Sequence, residues 1–175
     1  MKLAAVSYEA GGGHAIDRLL VQLARELRGH GYKLAGAVQW NEPRANDSRC
    51  AMVLEDLATG ERLDVSADPN TDPSACRLNS YALEDVAGRV AGSIGPGVDL
   101  VILNRFGKQE AARAGFRAII EAAVAHELPV ITGLNVAHKA LWDEFTTGDG
   151  AYLNADPAAV NAWAVAAIAD KASRS

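Results

Sequence analysis

The sequence predicts an α/β fold: a mostly parallel sheet with helices on both faces and an inserted β-hairpin. Three observations predict it. Short, nearly continuous apolar runs at Leu3–Tyr8, Val98–Leu103 and Pro129–Leu134 read as strands buried on both faces. Helical patterns alternate with these runs, which is the rhythm of parallel strands joined by crossover helices. Between them, Met52–Leu57 and Arg62–Val65 alternate apolar and polar residues around Thr59-Gly60, as a hairpin would.

The elements follow in order. After the Leu3–Tyr8 strand come Gly11, Gly12 and Gly13, then a helix whose apolar face is Ile16, Leu19, Leu20, Leu23 and Leu27. Gly29 and Gly31 stop it, and Lys33–Trp40 is the next strand, which completes a βαβ unit. A polar stretch with Pro69 and Pro73 follows the hairpin and reads as a surface loop. Asn79 or Ser80 caps a helix running to about Ala91, and Gly95-Pro96-Gly97 closes it. Beyond the Val98 strand, Ala111–Ala125 is helical. Past the Pro129 strand, Val136–Phe145 is a helix capped by Asn135. Ala151–Leu153 is a short strand, and Asp156-Pro157 opens a final helix to about Lys171. A length of 175 residues suits one domain, so residues 1–175 are expected to form a single domain with the hairpin inserted at about 50–78.

Composition narrows the function classes. Hydrophobic residues are 49% and charged residues 22% of the chain, which excludes disorder. A net charge of −5 argues against a nucleic-acid partner, which calls for a basic excess. No apolar run approaches the roughly 20 residues of a membrane helix, and the N-terminus reads as a strand and not a signal. The expected location is the cytoplasm, where Cys50 and Cys76 stay reduced. Neither has a Cys or His partner at metal-motif spacing, so no metal site is expected.

Ligands of such folds bind beyond the carboxyl ends of the strands. Two segments are therefore candidate sites: Glu9–His14 and Asn104–Glu110. The first stands where a phosphate loop, G-x-x-x-x-G-K-[ST], would join a strand to a helix. With Gly13 as the second glycine, Tyr8 replaces the first, His14 the lysine and Ala15 the magnesium-binding hydroxyl. Gly11, Gly12 and Gly13 can still offer backbone N–H groups at a helix N-terminus to an anion. His14 offers a hydrogen bond but is a poor permanent charge at the positive end of a helix dipole. The competing reading is a Gly-rich turn that only lets strand and helix pack closely.

In the second segment a working phosphate-loop enzyme ends its strand in an acid that holds magnesium. Here Asn104 and Arg105 stand there. Arg105 repels a cation and suits an oxyanion, and Lys108 adds a second positive charge. Glu110 is the nearby acid that a catalytic role would use; equally, Arg105 and Lys108 can be neutralised by acids such as Glu110.

The stretches Arg49-Cys50, Met52 to Glu61, Cys76 to Leu78, Asp99 to Glu110 and Leu128 to Ile131 resemble a bacterial domain-of-unknown-function family. That family is classed with the P-loop NTPases and is often encoded beside molybdenum-uptake genes. More distantly the chain is similar to THEP-type nucleoside-triphosphatases, which implies NTP and magnesium. His14, Ala15, Asn104 and Arg105 depart from their pattern. The leading expectation is a protein that binds a nucleotide, or an oxyanion such as phosphate or molybdate, with little or no hydrolysis. The alternatives are an unconventional nucleoside-triphosphatase, and an interaction domain with an empty pocket that binds a protein partner or a second copy of itself.

Overall fold

A computed structural model describes residues 2–43, 50–66 and 79–174. The expectations for Arg49, for the Pro69–Pro73 stretch and for Cys76 to Leu78 lie outside these residues, as does the side chain of Cys50.

A seven-stranded sheet forms the middle layer. In chain order its strands are β1 (Leu3–Tyr8), β2 (Leu34–Pro43), β3 (Cys50–Asp56), β4 (Arg62–Asp64), β5 (Leu100–Phe106), β6 (Val130–Asn135) and β7 (Ala151–Leu153). The spatial order is β4-β3-β2-β5-β6-β1-β7. The five strands from β2 to β7 pair in parallel. The three apolar runs seen in the sequence are neighbours in the interior, in keeping with the near-complete burial of β5 and β6 and of Ala4, Ala5 and Val6 in β1. The hairpin extends the sheet: β3 pairs antiparallel with β2 and β4 with β3, which makes an antiparallel edge. This is the mixed α/β sheet expected of a P-loop-like fold.

Helices cover both faces. On one lie α1 (Gly13–Gly29) and α6 (Pro157–Ala172), with Ile16, Leu20, Leu23, Leu27, Val160 and Ile168 packed on Val6, Leu100, Ile102 and Ile131. On the other are α2 (Ser80–Gly92), α4 (Arg117–Ala125) and α5 (Lys139–Thr146), around Val86, Val90, Ile119, Ile120, Phe106 and Trp142. Asn79 caps α2 by accepting from the N–H groups of Tyr81 and Ala82, and Asp156 caps α6 by accepting from Ala159. Among the described residues no helix is long and apolar enough to cross a membrane.

β2 runs past Trp40 to Pro43, the helix expected over Val136–Phe145 opens as a 3₁₀ turn at Val136–His138, and two further elements differ from the sequence reading. The Val98 strand does not stop at Leu103; β5 runs on to Phe106 and carries Asn104 and Arg105 within it. Its pairing with β6 slips between Leu103 and Arg105, so Asn104 sits on a bulge. The helix expected over Ala111–Ala125 is broken into the short α3 (Lys108–Ala111) and α4. The cause is local polar chemistry. The Glu110 carboxylate accepts from the N–H groups of Gly107 and Phe116, and the Glu84 carboxylate accepts from Gly115. These acceptors stabilise a turn in which Arg113 and Gly115 adopt φ of 65° and 59°.

Gly36 is a glycine the sheet cannot replace. Its φ is +106°, and a Cβ there would lie 2.0 Å from the Ile102 carbonyl oxygen of the neighbouring strand. Gly36→Ala therefore combines backbone strain with a clash against main chain. The expected loss is about 3 kcal/mol or more of unfolding free energy, read from the midpoint of a urea titration. A loss under about 1 kcal/mol would mean that β2 and β5 do not approach this closely.

Candidate functional site

Parallel pairing brings the carboxyl ends of β1, β5 and β6 to one edge. Tyr8 pairs with Asn135 across β1 and β6, and Phe106 with Leu134 across β5 and β6. The glycine segment and the β5 end thereby border the same opening. Two adjoining clefts lie there. One, of about 380 Å³, is lined by Gly11, Gly13, His14, Asn41, Arg105 and Asn135. The other, of about 330 Å³, extends beneath the hairpin towards Met52, Leu83, Asn104 and Phe116. Tyr8, Gln39, Met52, Arg105 and Asn135 line both.

The glycine segment closes on itself. The Gly12 N–H donates to the Glu9 carbonyl at 2.9 Å, with Gly11 at φ +85°, and α1 starts at the next residue. No side chain caps α1, and no acid lies in its first turn. The first N–H groups of a helix have no acceptor within it, so this end of α1 keeps donors and a positive dipole. Arg105 lies against that end. A Cβ on Gly13 would come within 2.9 Å of the Arg105 Nη2. The glycine at 13 is what lets the guanidinium settle on the backbone.

The partner of Arg105 is an acid one turn into α1. Its Nη2 donates to both carboxylate oxygens of Asp17, at 2.8 and 2.6 Å. Asp17 is 1% exposed, whereas the Arg105 side chain is 34% exposed. His14 Nδ1 stands 3.8 Å from the same carboxylate. Tyr8 packs beneath, its ring centre 5.9 Å from the guanidinium carbon. Burial raises the Tyr8 pKa; the Arg105 charge partly offsets this and the Asp17 charge adds to it. The phenol therefore stays protonated at neutral pH and keeps a donor at the cleft.

Asp17 also ends a chain of amides. The Asn41 Nδ2 donates to Asp17 at 2.7 Å, the Gln39 Nε2 to the Asn41 oxygen at 2.8 Å, and the Asn104 Nδ2 to the Gln39 oxygen at 2.7 Å. Amide orientations are ordinarily ambiguous. Here they are not, because an ionised carboxylate only accepts. Asn41 must turn its NH₂ to Asp17, Gln39 must turn its NH₂ to Asn41, and Asn104 must do the same to Gln39. The polarity of one carboxylate thus propagates through three side chains and leaves the Asn104 oxygen at the far end. Among the described residues that oxygen is buried without a partner, and so is the Arg105 Nε.

Lys108 and Glu110, and two further residues near this edge, are placed as follows. Lys108 is exposed at the rim of the hairpin-side cleft, beside α3. Glu110 is buried, and both its oxygens are engaged by backbone N–H groups. Arg105 is neutralised by Asp17 and not by Glu110. His138 lines the rim next to Gly107. Trp40 faces elsewhere: its indole donates to Glu55 at 2.8 Å, with the Arg25 and Arg62 guanidiniums over its ring. Among the described residues no group of three or more His, Cys, Asp or Glu is placed to hold a metal ion.

Sequence reasoning missed Asp17, Gln39 and Asn41. A signal for the first was present. Asp17 falls in the same helical row as Leu20, Val21 and Ala24, and an acid in an apolar row calls for a buried partner. Gln39 and Asn41 carried only a weaker cue, two amides at strand spacing at the end of β2.

Residues 3–163 match the family model described as a protein of unknown function (DUF2478), and the chain belongs to that family. It is also similar to a protein of Bradyrhizobium diazoefficiens named molybdenum import ATP-binding protein ModC 2. The two are 32% identical over 148 residues, which is 85% of this chain and 16% of that protein. The chain thus spans about one sixth of the relative it matches. No solved structure matches significantly.

The unequal burial of the ion pair yields a test. Arg105→Gln leaves a fully buried carboxylate without its cation, whereas Asp17→Asn leaves a guanidinium that water can still reach. Arg105→Gln should cost the more, on the order of 3 kcal/mol, with Asp17→Asn well below it. Chemical denaturation of both single variants and the double variant measures this. Equal single losses that simply add would show that the two groups do not interact.

Proposed function

We propose that this member of the DUF2478 family binds a nucleotide or a small oxyanion at the Gly11–His14 end of α1, with little or no NTP hydrolysis. One observation carries the reading: an uncapped helix N-terminus borders a cleft, and a guanidinium lies across it. Backbone donors, a helix dipole, His14 and the outward part of Arg105 converge on a space suited to a compact anion. Similarity to a stretch of a protein named for ATP binding and molybdenum import supports nucleotide binding. A role accessory to molybdenum handling is part of the same proposal.

The chemistry disfavours turnover. No lysine or hydroxyl stands at positions 14 and 15, which makes the phosphate loop degenerate. Glu110 lines the hairpin-side cleft and Asp17 pairs with Arg105, which lines both; the two carboxylates are occupied, Asp17 by Arg105 and Asn41 and Glu110 by two N–H groups. Neither is free to position water or magnesium. Loss of one preorganised donor costs roughly 10²–10³ in rate, and here two groups are missing together.

A second reading is favoured by the Asp17 pairing. Because Asp17 cancels the charge of Arg105, the cleft attracts anions less than an unpaired arginine would. An interaction domain with an empty pocket is the corresponding function.

Calorimetric titration with phosphate, sulfate, molybdate, tungstate, ATP and GTP decides between them. At least one should bind, more weakly at high salt. His14→Ala, which alters a side chain 64% exposed and should leave the fold intact, should weaken binding severalfold. Arg105→Ala should weaken it further. The protein with MgATP or MgGTP should turn over well below about 1 s⁻¹. No binding of any of these anions would leave the interaction reading, and turnover abolished by Arg105→Ala would establish the enzyme.

A further inference from the structure

We infer that the ligand of the anion site is a linear oligophosphate, held along the flank of α1 by Arg18 and Arg25. The inference rests on the anion site proposed above and gives it a ligand class. It starts from a third cleft, of about 570 Å³, between α1 and the end of β2. His14, Gln39 and Asn41 line both this cleft and the one at the helix N-terminus, so the two adjoin. His14, Arg18, Gln22 and Arg25 form one stripe along its wall, at the three- and four-residue spacing of a helix face. Arg18 and Arg25 are both exposed. Among the described residues neither has a carboxylate partner; Arg25 lies over the Trp40 ring at 4.7 Å.

The acids nearby do not neutralise this wall. Among the described residues Asp17 is the one acid lining the cleft; it is 1% exposed and occupied by Arg105 and Asn41. Glu26, the next acid along α1, is held towards α6 by Asn161. Glu55 accepts from Arg28 and from the Trp40 indole. In a chain of net charge −5 the cleft is thus a local reversal of sign, and a concave wall focuses its field. Spacing then selects the ligand. The Arg18 and Arg25 backbones lie about 7.5 and about 18 Å beyond Gly13 along the helix axis, from the rise of an α-helix. Helical side chains lean towards the N-terminus, so Arg25 reaches back over Val21 towards Arg18. The helix end, His14, Arg18 and Arg25 therefore make a row of donors with one acid among them, already paired. A compact tetrahedral anion uses only the start of this row. A chain of linked phosphates is negative along its whole length and uses all of it, and guanidinium forks match its oxygens.

Calorimetric titration with phosphate, pyrophosphate, tripolyphosphate and linear tetraphosphate, without magnesium, reads this row. Affinity should rise with chain length, and tetraphosphate should bind at least about 10-fold tighter than phosphate. Arg18→Gln and Arg25→Gln should each lower tetraphosphate affinity about 5-fold more than phosphate affinity, the scale of one exposed charge contact. Both alter exposed side chains, and a melting curve checks that each variant is folded. Arg89→Gln removes a cation from α2, on the opposite face of the sheet, and should leave the series unchanged. ATP separates two sources of the same chemistry. ATP binding no tighter than tripolyphosphate indicates an inorganic chain; tighter binding indicates a nucleotide whose nucleoside end reaches towards Trp40. Equal affinity from phosphate to tetraphosphate overturns the inference and leaves the anion site standing. An equal loss in Arg89→Gln also overturns it, since binding would then follow net charge alone. If none of these anions binds, the anion reading fails and the inference with it.

Discussion

The site depends on one buried carboxylate. Asp17 lies in the apolar row of α1, a turn beyond the glycine segment, and is closed off from water. A charge in that position must be paired and hydrogen-bonded, or the helix could not pack against the sheet. Arg105 meets the first requirement from β5, and Asn41 helps meet the second from β2. The carboxylate thereby ties together three elements that are distant in sequence. Because it only accepts, it also dictates how each amide behind it is turned.

This explains why the sheet edge takes its particular form. Arg105 reaches Asp17 from a strand that runs three residues beyond the apolar stretch, with a bulge at Asn104 that shifts the register. The bulge re-aims two consecutive polar side chains at the cleft edge, where strict alternation would send them to opposite faces. Gly13 then has to be bare, because the guanidinium fills the space a side chain would take. Glycine at the start of α1 is accounted for by arginine packing as well as by any anion. Both explanations act on the same atoms, so glycine at that position cannot by itself identify a phosphate loop.

Much of the fold was legible because its signals are local. Unbroken apolar runs marked β1, β5 and β6, the three- and four-residue spacing marked α1, and Asn79, Asn135 and Asp156 marked helix starts. What was not legible depends on partners far along the chain. The break between α3 and α4 needs the Glu84 and Glu110 carboxylates beside backbone N–H groups that a continuous helix would use itself. Alanines with high helix propensity gave no hint of it. At the site, the sequence brought out Arg105 as a cation and Glu110 as a candidate base or partner. Chemical type was readable, but pairing was not, since Asp17 and Arg105 are 88 residues apart and meet only through the parallel crossovers.

Arg105 borders both clefts and is committed to Asp17 as well. Its guanidinium has a fixed fork of donors: Nη2 serves the carboxylate, Nε is buried, and the side chain keeps 34% of its surface exposed. Any ligand in either cleft meets the same planar cation, whose orientation Asp17 has already set. A ligand that rotated it would disturb the ion pair, and through Asp17 the amide chain ending at Asn104. The two clefts are therefore one electrostatic unit and not two independent pockets. For the same reason a substitution at Arg105 removes a stabilising ion pair, a wall of both clefts and a donor at once, and its effect cannot be divided among them. Asn104 and His14 stand at opposite ends of this unit, and each lines only one of these two clefts. They are the positions from which the two halves can be told apart.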